Sequence, residues 1–148
     1  VRGRVTMIGM RSTRLLTRDD VEVIIPNAQM AAARIINESG GPHERQRVSA
    51  VVGVAYDSDL AVVRQVLLEC ATSCPDVILD DPTVAPRVRF REFGASSLAI
   101  HLLVWIPQPE LRGKVLDELN GRILEQFREH GIDMPYPITT IKLEQPKA

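Results

Sequence analysis

The chain has 148 residues, of which 45% are apolar, 25% charged and only 4% aromatic, a composition near the average of soluble globular proteins and far from collagen-like, disordered or disulfide-scaffold chains. A domain of this length can bury about 70% of the surface its unfolded form exposes, so one core, or two small adjoining cores, needs no metal or cross-link. Lys and Arg number 18 against 19 Asp and Glu, a net charge of -1, which excludes strong whole-chain attraction to nucleic acid or to an anionic membrane and leaves room only for local binding.

In chain order, the first stretch reads as short strands: Val5 and Met7 alternate with Thr6 and Ile8, and later Val21, Val23 and Ile25 alternate with Glu22 and Ile24. Arg18-Asp19-Asp20 reads as the hairpin turn between them, and Pro26, with no N–H to give, is expected to end the pairing. Ala28 to Arg34 is a small-residue helical connector. Gly40-Gly41-Pro42 is the strongest break signal and places a domain boundary there, with residues 1–41 before it.

Longer elements follow. Val48, Ala50, Val52 and Val54 share one face of a strand, and Asp57-Ser58-Asp59 offers N-caps to a helix whose inner stripe is Leu60, Val63, Leu67, Cys70 and Cys74. Pro75 stops that helix. Arg87 to Phe93 and Ser97 to Ile106 predict a hairpin with Gly94-Ala95-Ser96 at its turn. A second helix is predicted from about Pro109 to His130, with Leu111, Val115, Leu119, Ile123 and Phe127 inward and Gly131-Ile132 as its C-terminal stop. Pro135-Tyr136-Pro137 leads into a last short strand, Ile138 to Leu143.

The order β-α-β-β-α-β over residues 42–134 and the strand after them is the split βαβ, or ferredoxin-like, arrangement, in which both helices cover one sheet face. Leu98, Ile100, Leu102, Val104 and Ile106 form the face that meets those helices. The opposite face carries His101, Leu103 and Trp105, apolar enough that burial against another chain, or another part of this one, is expected.

No constellation in the sequence carries catalysis, a cofactor or a metal. His101 has no motif partner and reads as a structural or interface histidine; His43 lies in a Gly/Pro-flanked loop and His130 at a helix C-terminus, where it suits the dipole. Cys70 and Cys74 lack the second ligand pair of a zinc site and read as buried thiols. Asp57, Asp59, Asp80 and Asp81 lack the spacing of an ion-binding loop and read as caps and an acidic loop. Arg2, Arg4, Arg11, Arg14 and Arg18 concentrate positive charge near the start, but no aromatic residue accompanies them as single-stranded RNA recognition requires. A solvated or inter-subunit face is the reading there, ahead of a lipid-facing one.

The longest apolar run, Leu98 to Ile106, falls far short of the roughly 20 residues that span a bilayer. The opening Val1 carries no signal-peptide pattern, so the sequence reads as an excised piece.

Several stretches together resemble one family. Met10-Arg11-Ser12-Thr13-Arg14-Leu15, Val23 through Pro26-Asn27, Arg34-Ile35-Ile36-Asn37, Val52-Gly53-Val54-Ala55-Tyr56-Asp57-Ser58-Asp59, Phe93-Gly94-Ala95-Ser96-Ser97, Val104-Trp105, Leu119-Asn120 and Gly131-Ile132 through Pro135-Tyr136-Pro137 are similar, in order, to the cytoplasmic C-terminal region of small-conductance mechanosensitive channels. The resemblance implies a truncated Sm-like β domain followed by a ferredoxin-like domain in an α+β fold, without enzymatic activity.

It further implies a homo-heptamer in the full-length protein, built into a hollow cage on the cytoplasmic side of the inner membrane. Ions and small osmolytes pass through its side portals, and membrane contact comes only through helices preceding Val1. Ile138 to Leu143 would join a barrel shared by all subunits. Candidate interface residues are therefore His101, Leu103, Trp105, Ile138, Ile141 and Leu143, and motif positions of structural role are Pro26, Asn27, Tyr56, Asp57, Gly94, Pro135 and Pro137.

The chain departs from the family in three expected ways: the β domain begins without its opening strand, Gly40-Gly41 replaces an Arg-bearing link, and Ile138 stands where Gln is usual. Two other readings remain open on the residues alone: a ligand-binding regulatory ferredoxin-like module and an RNA-binding β-barrel protein.

Overall fold

A computed structural model describes residues 1–137 and 139, and it divides into two units, Val1–Asn37 and the residues from Glu38 onward. The first is a three-stranded antiparallel sheet of order β1-β2-β3, with β1 at Arg4–Ile8, β2 at Ser12–Leu16 and β3 at Glu22–Pro26, followed by the short helix α1 at Asn27–Ala32. The turn at Arg18-Asp19-Asp20 stands where the sequence places it, with Asp20 in the left-handed region at φ 60°, a conformation that Asp tolerates because its short side chain can bond locally.

One expectation needs correction. Ser12–Leu16 is a separate central strand, so the segment before the turn is itself a hairpin. Pro26 is the last residue of β3, paired opposite Ser12, so the pairing ends where the sequence places its stop; Asn27 N, opening α1, then donates to Arg11 O at 2.9 Å. Proline is tolerated because β3 lies at the sheet edge.

The second unit is built on an antiparallel sheet of order β4-β6-β5: β4 Gln46–Val54, β5 Arg87–Phe93, β6 Leu98–Ile106. Helices α2, Leu60–Thr72, and α3, Arg112–Glu129, pack against each other and over one face of it. A middle position for β6, the third strand of the pattern, is the ferredoxin-like order for these three strands. The strict alternation of β4 and β6 places Val48, Ala50, Val52, Val54 and Leu98, Ile100, Leu102, Val104, Ile106 under the helices, all buried.

The helix stripes read from the sequence bury Val63, Leu67 and Cys70 from α2 and Val115, Leu119, Ile123 and Phe127 from α3; Val66 and Ala71 also turn inward. Cys74, just beyond α2, is buried as well.

Local signals set the ends. Asp59 caps α2, its carboxylate accepting from Ala61 N at 2.8 Å, the orphan-donor satisfaction that makes Asp a good N-cap. The predicted start of the second helix at Pro109 is a 3₁₀ turn, Pro109–Leu111, and α-helix proper begins at Arg112. At its far end Gly131 adopts φ 64°, where a Cβ would be strained. Gly131 N and Ile132 N bond back to Arg128 O and Phe127 O, returning the chain onto the core as the C-cap signal predicts. The predicted strand Ile138 to Leu143 lies outside the described residues.

Candidate functional site

The surface with functional character is the side of the second sheet turned away from the helices, together with the loops at its two ends. Its make-up follows from register. On β6 the outward residues are Ala99, His101, Leu103 and Trp105; opposite them stand Gly53, Val51, Ser49 and Arg47 of β4, and Glu92, Arg89 and Arg87 of β5. An apolar strip thus runs down the middle strand with guanidinium groups on both flanks.

The interface candidates of that strip are partly covered by their own chain. Leu103 and Trp105 are half-buried. The Arg45 guanidinium lies 5.6 Å from the centroid of the Trp105 ring, within cation–π range, and is held there by an ion pair with Asp81. Asp81 is itself fixed by hydrogen bonds from the Thr83 hydroxyl and the Thr83 N–H, which with Arg45 pull its pKa down to about 2. His101 is half-buried, its Nδ1 3.2 Å from the Ser49 hydroxyl across the β4–β6 pair.

Around the turn that follows β5 the structure gathers aromatic side chains. The Tyr56 hydroxyl donates to Gly94 O, joining two motif positions distant in sequence. The Tyr56 ring stacks on Phe93 with centroids 6.5 Å apart, and Phe93 meets Phe90 edge to face at 4.7 Å. Gly94 N donates to Ser97 O at 2.8 Å, and a Cβ at Gly94 would sit 2.8 Å from that same oxygen, so the tight turn requires glycine. Asp57 is exposed beside this cluster, as are Phe93 at 72% and Tyr56 at 54%.

Of the remaining motif positions, Asn27 does the most. Its amide donates to Gly9 O and accepts from the Thr13 hydroxyl, both at 2.9 Å, tying the loop after β1 to the end of β3. Pro26 completes β3, Pro135 is half-buried and Pro137 is exposed. Ile138, Ile141 and Leu143 lie outside the described residues.

The residues weighed for other chemistry have plain roles. Cys70 and Cys74 are free, buried thiols whose pKa burial raises, leaving them protonated and poor nucleophiles. Asp59 and Asp81 are occupied as caps. His130 Nδ1 bonds Gln126 O at 2.9 Å at the end of α3. Among the described residues no group of three His, Cys, Asp or Glu is placed to hold a metal. None of the helices there is long and apolar enough to cross a membrane.

Sequence reasoning passed over Arg45, Arg47, Arg87 and Arg89. The Arg-Val-Arg-Phe-Arg alternation from Arg87 to Arg91 was the available signal for two of them. The contact of Arg45 with Trp105 has no signature in spacing.

Comparison with known proteins gives the following. Residues 1–40 match the model "Mechanosensitive ion channel, beta-domain", and residues 48–134 match "Mechanosensitive ion channel MscS, C-terminal". An uncharacterized MscS family protein of Haemophilus influenzae is 40% identical over 92% of this chain. A small-conductance mechanosensitive channel of Edwardsiella ictaluri is 31% identical over 98%, and the mechanosensitive channel MscK of Escherichia coli 37% identical over 98%.

The chain spans 12%, 49% and 13% of those proteins respectively. The crystal structure of Helicobacter pylori MscS in its closed state shares the fold, with a TM-score of 0.83 over 97% of this chain and 55% of that one at 24% identity.

Proposed function

Since the chain belongs to the MscS family of mechanosensitive ion channels, through the family's C-terminal model over residues 48–134, we propose that it is the cytoplasmic cage region of a small-conductance, tension-gated channel. The full-length protein sits in the inner membrane and releases ions and small solutes on hypo-osmotic shock. It works as a homo-heptamer, with transmembrane helices supplied by sequence outside residues 1–148. The chain's own share is mechanical: it supports the pore from below, admits solutes through openings between copies, and biases the closed or open state through subunit contacts.

The single supporting observation is that both family models match in the same order and between them span nearly all of residues 1–134. Half-buried Leu103 and Trp105, on the sheet face turned away from the helices, suit a neighbour's surface. In this reading Pro26, Asn27, Tyr56, Asp57, Gly94, Pro135 and Pro137 hold turns and domain ends in shape, and none of the residues is asked to do chemistry.

The test is a chimaera. Residues 1–148 replace the corresponding region of the Edwardsiella ictaluri channel, expressed in cells lacking their own mechanosensitive channels. Patch recordings are expected to show tension-activated currents, and the cells are expected to survive osmotic downshift. A chimaera that inserts in the membrane at normal levels yet passes no current under tension overturns the reading.

A further inference from the structure

In both units cations stand against carboxylates: Arg14 on Glu22, Arg45 on Asp81, Lys114 on Asp76 and Arg122 on Glu118. The sheet face turned away from α2 and α3 differs. Arg47, Arg87 and Arg89 stand on it, all exposed, and none of the three pairs with a carboxylate among the described residues.

Glu92 is on the same face but toward its turn end, opposite Ala99, and exposed Arg91 occupies the bulge between Phe90 and Glu92. Arg45, over Trp105, is neutralised by Asp81. The half of the face that holds Leu103 and Trp105 therefore carries an excess of positive charge that the chain itself does not balance.

Register sets the distances. With strands about 4.8 Å apart and residues rising about 3.3 Å each, Arg87 and Arg89 are about 7 Å apart at Cα, and Arg47 is about 12 Å from Arg87. Their long stems let the guanidinium groups lean over the middle strand from both sides. The floor between them is apolar: Leu103 on β6, and on β4 the exposed side chain of Val51.

We propose that this face binds a nucleoside triphosphate, its phosphate chain held by Arg47, Arg87 and Arg89 and its base lying on Leu103 and Val51. Guanidinium forks match phosphate oxygens in pairs, which makes arginine the residue for this chemistry. The site goes beyond the channel reading. It uses the face that also suits a neighbour, so ligand and neighbour are alternatives there.

The other anions fit less well. Single-stranded RNA needs a row of free rings on which to stack its bases. On this face Trp105 is the aromatic residue and Arg45 already lies over it, while Phe90 and Phe93 pair with buried Ile100 and Leu98 and belong to the other face. An anionic membrane calls for about four to eight clustered basic residues, more than this half of the face presents. An inorganic polyphosphate meets the charge but leaves Leu103 and Val51 in water, where a base would cover them.

The experiment is calorimetric titration of the 148-residue chain with ATP, without divalent cations and at about 0.15 M salt. Circular dichroism confirms that each variant is folded. ATP is expected to bind with a Kd below about 1 mM, inorganic tripolyphosphate about fivefold more weakly or worse, and adenosine without measurable heat. Arg87→Gln with Arg89→Gln is expected to weaken ATP binding by about tenfold or more, and Arg47→Gln by about fivefold. These sites are exposed, so the fold should tolerate the changes. Leu103→Ala should bring ATP toward the affinity of tripolyphosphate and leave tripolyphosphate unchanged. Arg128→Gln, which removes an exposed cation at the far end of α3, is the control and should bind as the parent does.

The site is overturned by an absence of heat with ATP at about 1 mM, by arginine variants that bind as the parent does, or by an equal loss in Arg128→Gln. Tripolyphosphate as tight as ATP, or a single-stranded RNA bound more tightly than ATP, would overturn the nucleotide as occupant. Currents from the chimaera are read separately, so the channel reading can stand while this site fails.

Discussion

The two units reach order by different means. From Glu38 onward, three sheet strands and two helices close over a continuous apolar core running from Val48 to Phe127. In Val1–Asn37 only Thr13 and Leu15 are buried, and β1 is exposed along its whole length, Met7 and Ile8 included. A three-stranded sheet needs a buried apolar face to be stable by itself, and among the described residues of this one Leu15 alone is a buried apolar side chain. The contrast shows that the second unit's shape is dictated by its own interior, while the first is held by hairpin hydrogen bonds and the Asn27 side chain.

The largest effect should come from attacking that difference directly. Phe127→Ala removes a fully buried ring and is expected to destabilise the second unit by about 3–5 kcal/mol. Leu15→Ala, in a unit where few atoms surround the side chain, should cost about 1.5 kcal/mol. Denaturant unfolding followed by Trp105 fluorescence reads the second unit, and backbone NMR intensities read the first. Equal losses in the two variants would mean that the first unit has a core of comparable quality.

Next in size is the polar tie. Asn27→Ala deletes the bonds to Gly9 O and Thr13 and strands a buried hydroxyl, at an expected cost of about 1–3 kcal/mol. Hydrogen exchange should then rise across β1, β2 and β3 while β4 and β6 keep their protection. Loss of protection in β6 instead would show that the units unfold together.

The same contrast explains what could be read from the sequence. β6 was legible because Leu98, Ile100, Leu102, Val104 and Ile106 obey a strict two-residue period imposed by a helix-covered face, and α3 because Val115, Leu119, Ile123 and Phe127 repeat every four. β2 was not legible: its inward residues are a threonine and one leucine, and it is defined by pairing to both neighbours rather than by an apolar stripe. Pro26, by contrast, marked the end of β3 correctly, because a residue without an N–H closes an edge strand whatever the apolar pattern.

On the candidate surface, Leu103 and Trp105 could be named from alternation. What stands over Trp105 depends on an ion pair spanning Arg45 and Asp81, set by tertiary geometry that one-dimensional spacing does not contain. The Tyr56–Gly94 bond is likewise a product of the fold.

The smallest effect concerns how firmly polar contacts are fixed in the two units. In the first, Arg14 and Glu22 approach to 3.6 Å with both side chains about half exposed, an arrangement whose loss should move stability by about 0.5 kcal/mol or less. In the second, Asp81 is held by three donors: the Thr83 hydroxyl, the Thr83 N–H and Arg45, in that order of influence, lowering its pKa from 3.8 to about 2.

A carboxyl whose folded pKa is depressed favours the folded state above its unfolded pKa, and that contribution fades as pH falls through the folded value. Here the window runs from about pH 4 down to about 2. Carboxyl-carbon NMR should therefore show Asp81 titrating near 2, with Thr83→Ala moving the midpoint toward 3.8 and Arg45→Gln moving it less. The reverse ranking would make the ion pair over Trp105, rather than the threonine cap, the main anchor of that loop.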